Sequence, residues 1–166
     1  MDFLATARRQ MLSGQLNEAR ERLLASFAGL TNEQIAEQGV AGDWSVRDIL
    51  VHLAAWDRAL SAGYKEMLAG KRPPVLDLDE EGIEEFNTTN HAHAVDTSVD
   101  DVLNEFTAAR EEMVEVLRQV DNKDLFAPAP GDEHADLSIA SCVQVTVSHD
   151  EEHAEMIEEW RESKGL

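Results

Sequence analysis

Residues 137–162 read LSIASCVQVTVSHDEEHAEMIEEWRE. Ile139, Val143, Thr146, Asp150, His153, Ile157 and Trp160 recur at alternating steps of four and three. That is the period of one helix face packed against neighbours; a half-buried strand repeats every second residue instead. No glycine or proline interrupts the run, so a helix is predicted from Leu137 to about Glu162. Two seam positions, Asp150 and His153, are polar. A charged and a titratable side chain on an apolar seam need partners or a metal, and such local conflicts concentrate at functional sites.

The same period recurs upstream. Leu16, Arg20, Leu23, Phe27 and Leu30 mark a first helix from about Asp2 to Leu30, with Ser13 and Gly14 as a place where it can loosen. Thr31 and Gln34 have the spacing of a capping box for a short extra turn. Residues Gly39 to Asp43 are expected to form a loop. Asp43 or Ser45 caps a second helix, with Asp48 three residues after Ser45 and an inner stripe of Ile49, Leu53, Trp56, Leu60, Tyr64 and Met67. Gly70 and Pro73-Pro74 end it. An acidic linker from Asp77 to Gly82 leads into a short helix through Ile83 and Phe86 to about His91. A third long helix follows Thr97 or Ser98, carried by Val99, Val102, Phe106, Ala109, Met113, Val116 and Val120. Asp121 to Asp136 reads as a loop. The expected architecture is a single all-α domain over residues 1–166, a four-helix bundle with a short extra helix in the crossover.

Composition bounds the function. The chain has 166 residues, 14 Lys and Arg against 34 Asp and Glu, and a formal charge of −20. A field of that sign repels phosphate backbones and anionic lipid surfaces, so no nucleic acid and no membrane is expected as a partner. Neither Pro73–Ala109 nor Asp124–Trp160 holds a Lys or Arg, which reads as solubilising acidic surface. No apolar run approaches the roughly 20 residues of a membrane helix. The start MDFLATARRQ lacks the order of a signal peptide, so a cytoplasmic location is expected. The single cysteine, Cys142, excludes an internal disulfide framework; it reads as a small buried hydrophobe.

His149 and His153 stand four residues apart, on one helix face. Two imidazoles so placed can share one metal ion, but the intervening Asp150-Glu151-Glu152 is not the metalloprotease pattern. An exposed pair on an acidic helix, or a core histidine bonded to a carboxylate, has the same spacing. His52 lies beside the inner stripe of the second helix. If that helix faces the last one, His52 completes a three-histidine set with room for water or substrate on the ion. Asp150 or Glu152 would then orient a ligand histidine through its second nitrogen. His91 and His93 do not share a helix face and read as the solvated end of the short helix, with one able to line a pocket mouth. His134 reads as exposed. Trp44, Trp56 and Trp160 read as core or seam packing.

The segment GDWSVRDILVHLAAWD, Gly42 to Asp57, followed by a last helix with HDEEH and then Glu158-Glu159-Trp160-Arg161, resembles the DinB-like superfamily, especially its ClbS/DfsB-like branch. The resemblance runs from Trp44 to Trp160. It implies a bundle of up-down-down-up topology with a long crossover, often a homodimer. It also implies a divalent metal, zinc or nickel, on His52, His149 and His153. Activities in that superfamily include metal-dependent hydrolysis and thiol transfer, so the resemblance implies an enzyme acting on a small electrophilic or toxic molecule. The alternative is a protein that binds and sequesters such a molecule without metal catalysis.

Overall fold

The computed structural model describes residues 3–94 and 97–166, with the side chain of His93 outside the description. The elements, in order, are α1 (Phe3–Phe27), α2 (Asn32–Ile35), β1 (Gln38–Ala41), β2 (Trp44–Ser45), α3 (Val46–Leu68), a 3₁₀ turn (Pro74–Asp77), α4 (Glu80–Ala94), α5 (Val99–Gln119), α6 (Asn122–Leu125) and α7 (Ile139–Lys164). The four long helices are those the periodicity predicts. Asp2, the expected first helical residue, lies outside the described residues.

Local chemistry sets the helix starts. Ser45 caps α3: its Oγ accepts the Asp48 backbone N–H, and Asp48 accepts the Ser45 N–H in return. Ser98 caps α5, and Ser138 caps α7 in a box with Ser141. Thr31 and Gln34 form the expected box on α2. Gly165, at φ 72°, takes the left-handed conformation that stops α7.

Three segments differ from expectation. The stretch expected as a loop at Gly39–Asp43 is mostly strand: Ala41 pairs with Trp44 around a Gly42-Asp43 turn. The turn is tight because Gly42 adopts φ 62°, a region that costs glycine nothing. The crossover helix is longer than expected, because its polar face gives no apolar period by which to place its end. The loop after α5 contains α6, and its far end is tied by Ala129 N–H donating to Leu137 at 2.8 Å. Gly14 leaves α1 continuous.

Two sets of contacts between helices fix the helix directions. Arg58–Glu105 and Lys65–Glu112 keep a constant sequence offset, so α3 and α5 run parallel. Arg22–Glu158 and the Arg161 bond to the Ser26 carbonyl do the same for α1 and α7. α3 runs opposite to α7, because His52 meets His153 while Tyr64, later on α3, lies beside Thr146, earlier on α7, so the topology is up-down-down-up. The apolar core falls into two lobes. One gathers Leu23, Phe27, Ile49, Leu53, Phe106 and Ile157; the other gathers Leu12, Leu16, Tyr64, Met113, Ile139 and Val143. Arg20, Asp57, Arg110 and Asp150 lie between them, all buried. Among the described residues, no helix is long and apolar enough to cross a membrane.

Candidate metal centre

α3 places His52 in its second turn, one turn beyond Asp48 of the capping box. α7 runs antiparallel to α3 and supplies His149 and His153 from successive turns. Ring centroids stand 4.8 Å apart for His52 and His149, 5.2 Å for His52 and His153, and 4.7 Å for His149 and His153. One nitrogen from each ring falls within 4.8 Å of the others. His52 Nε2 lies 2.8 Å from His149 Nε2, so one neutral ring donates to the other.

Burial keeps these rings neutral. Desolvation, followed by the two neighbouring histidines, lowers the His52 pKa to about 3. Desolvation and His149 bring His153 to about 4, with Glu152 opposing. Desolvation also pushes His149 down, against the carboxylate of Asp57. Neutral imidazole is the ligand form of histidine. The buried Nδ1 atoms of His52 and His153 have no hydrogen-bond partner. Three neutral nitrogen donors suit a borderline-soft divalent ion and leave it an open coordination position, so the residues present fit such a group.

Asp150 does not orient a histidine. It is fully buried, and its two oxygens receive Arg110 Nη1 at 2.9 Å and Nη2 at 3.1 Å. Arg110 also donates Nε to Asp57 at 2.8 Å and Nη2 at 3.0 Å. Arg20 Nη2 donates to Asp57 at 2.6 Å, its Nε lies 3.6 Å from Asp150, and its guanidinium covers the Phe106 ring at 3.9 Å. Burial and the neighbouring Arg110 lower the Arg20 pKa to about 10, which still leaves it charged at neutral pH. Two guanidinium groups therefore offset two carboxylates. Paired charge linked by several hydrogen bonds is the arrangement in which buried charge is tolerated, although Arg20 Nε and Nη1 are buried without a hydrogen-bond partner. Glu152 is exposed at the cavity mouth.

A cavity of about 680 Å³ opens on His52 and His149. Its walls include Leu53, Leu60, Leu76, Leu78 and Leu137, and Cys142 also lines it. Burial raises the Cys142 thiol pKa, which suits a packing role. Trp44 and Trp56 do more than pack the core: their rings meet His52 edge-on at 5.2 and 6.4 Å. Trp160 is buried in the first lobe. His91 stacks on Trp44 at 5.3 Å, with its Nε2 3.5 Å from Asp48, away from the trio. His134 is exposed, as expected.

Sequence reading missed Asp57, Arg110 and Asn87. Arg20 did stand on the first helix's apolar stripe, a visible conflict whose partners lay far along the chain. Asp57 and Arg110 each directly follow a stripe residue, which is a weaker signal.

A helical bundle with a buried three-histidine cluster beside an apolar cavity defines the class. Residues 15–157 match the sequence profile of the DinB superfamily, and the chain belongs to that superfamily. The uncharacterized protein YuaE of Bacillus subtilis (strain 168) is 21% identical over 155 residues, covering 88% of this chain and 94% of that one. Two solved structures share the fold. One, titled Sibling Lethal Factor Precursor - DfsB, gives a TM-score of 0.79 at 16% identity, covering 94% of this chain and 96% of that one. The other, an uncharacterised protein from Escherichia coli UTI89, gives 0.80 at 12%, covering 95% of each.

Proposed function

We propose that this protein is a divalent-metal enzyme that hydrolyses, or transfers a thiol to, a small electrophilic molecule at His52, His149 and His153. The carrying observation is that three neutral imidazoles, distant in sequence, converge beside a cavity large enough for a small molecule. A divalent ion there, zinc or nickel, supplies Lewis acidity and lowers the pKa of a bound water or thiol. The protein's own residues do the rest. The Arg20, Asp57, Arg110 and Asp150 set locks α1, α3, α5 and α7 together next to the histidines. The apolar walls exclude bulk water from the reacting group. Arg20 and Arg110 lie close by, but both are engaged by carboxylates, and the described residues lining the cavity offer an anionic thiol cofactor no Lys or Arg. That supports hydrolysis over thiol transfer. The proposed assembly is a homodimer acting on small molecules, with the −20 charge disfavouring nucleic acid.

The size and apolar lining of the cavity support a second reading, sequestration without turnover. Protein purified without a histidine tag, stripped with chelator and reloaded with zinc or nickel, separates the two readings on a panel of small esters, amides and epoxides. The enzyme reading expects metal-dependent product in excess of the protein concentration. Product limited to one equivalent, or equal rates from the stripped protein, removes it.

A further inference from the structure

α4 crosses the mouth of the histidine cavity and contributes Ile83 and Asn87 to its wall. Asn87 is half-buried. Its amide orientation is dictated by its partner: Trp56 Nε1 lies 3.0 Å from Asn87 Oδ1. Indole nitrogen only donates, so the carbonyl side of the amide must face it. The amide also lies beside the His52 ring, whose protonated form it favours, as an oxygen acceptor does; Asn87 Nδ2 makes no hydrogen bond to a described residue. Trp56 is held in turn by Phe86, its ring centroid 4.6 Å away. The wall that carries His52 and His149 thus also carries a hydrogen-bond donor of fixed direction that no described residue accepts from.

The electrostatics of the cavity narrow what accepts that bond. Its described lining residues include no Lys or Arg. Asp57 and Asp150 are neutralised from behind by Arg20 and Arg110. Asp136 and Glu152 remain, exposed, at the mouth. An anion entering there meets charge of its own sign, whereas a neutral or cationic molecule does not.

We propose that Asn87 orients the substrate, and that the substrate class is an uncharged or cationic molecule with an apolar body and a carbonyl oxygen, which accepts from Asn87 Nδ2 beside the three imidazoles. This rests on the histidine cluster being the reactive centre. Asn87 is a binding and positioning residue, and Trp56 sets the direction of its amide.

The test uses the full chain, tag-free, and three probes that share one body: phenylbutanamide, phenylbutylamine and phenylbutanoate. Binding is followed by protein-observed NMR. The wild-type protein is expected to bind the amide about tenfold more tightly than the carboxylate, because both accept from Asn87 Nδ2 but only the carboxylate meets like charge at the mouth. Asn87→Asp keeps an acceptor for Trp56 but removes the donor. It is expected to lose about tenfold in amide affinity with no loss for the amine. Asn87→Ala should lose the amide preference similarly, and Trp56→Phe should weaken it by freeing the amide to turn. A purely structural role for Asn87 would move both probes together. Carboxylate binding as tight as amide binding, an amide-to-amine ratio unchanged in both Asn87 variants, or no binding of any probe to the wild type overturns the proposal. Metal content, measured by elemental analysis on the same samples, reports separately on the histidine cluster. If metal is absent but the probes discriminate as stated, the metal reading fails and the assignment to Asn87 stands.

Discussion

Two buried polar layers lie side by side in this bundle, and they are opposites. The layer of Arg20, Asp57, Arg110 and Asp150 is charged, and its two carboxylates are matched by two guanidinium groups. The layer of His52, His149 and His153 is neutral, retains two unpartnered Nδ1 atoms, and opens on a cavity. Both break the apolar pattern of their helices. Charge balance tells them apart: in the first layer two guanidinium groups offset two carboxylates, whereas the second holds three uncharged nitrogen donors with no counter-charge, a set that a cation can join.

The sharpest way to break the comparison is to remove one member of the charged layer. Asp57→Ala leaves Arg20 and Arg110 short of a partner inside the core. It should destabilise the fold by about 3–5 kcal/mol, read as a lower midpoint in urea unfolding. An effect near zero would mean that the paired charges do not hold the fold.

The matching change in the open layer is His149→Ala. It should abolish metal retention in tag-free protein while the helical circular dichroism signal persists. Unchanged metal content would move the site elsewhere.

Acid treatment sharpens the contrast next. An unfolded histidine titrates near 6.5, whereas folded His52 does so at about 3 and folded His153 at about 4. As pH falls below about 6.5, the unfolded chain takes up protons that the folded one refuses, so the metal-free protein loses stability. The loss runs from about pH 6.5 down to these folded values and is absent above. His52→Gln should flatten the slope of unfolding midpoint against pH in that window. An equally steep slope would assign the acid sensitivity to other groups.

The smallest effect belongs outside both layers. Lys65→Ala removes the exposed pair with Glu112 and should change stability by at most about 1 kcal/mol. A larger loss would show that the surface ladder bears weight assigned here to the interior.

How much was legible follows from the range of each interaction. Ser45 with Asp48 and Thr31 with Gln34 act over three residues, so the caps could be read directly. The stripes of α5 and α7 report burial because a helix returns to the same face every three to four residues. The hairpin at Gln38–Ser45 escaped because four residues with little alternation give almost no strand signal. Asn87 escaped because a polar residue on a polar helix breaks no rule until a tryptophan from another helix fixes it.

The sequence by itself determined four long helices, their inward faces, and the presence of polar residues where apolar ones belong. It also named the three histidines as one possible set. Only the tertiary structure decided that Asp150 answers to Arg110 instead of a histidine, and that His52 meets His149 across 97 positions of chain. The physical reason is that periodicity encodes which side of a helix faces inward, whereas the partner it finds there depends on how the helices are placed around one another.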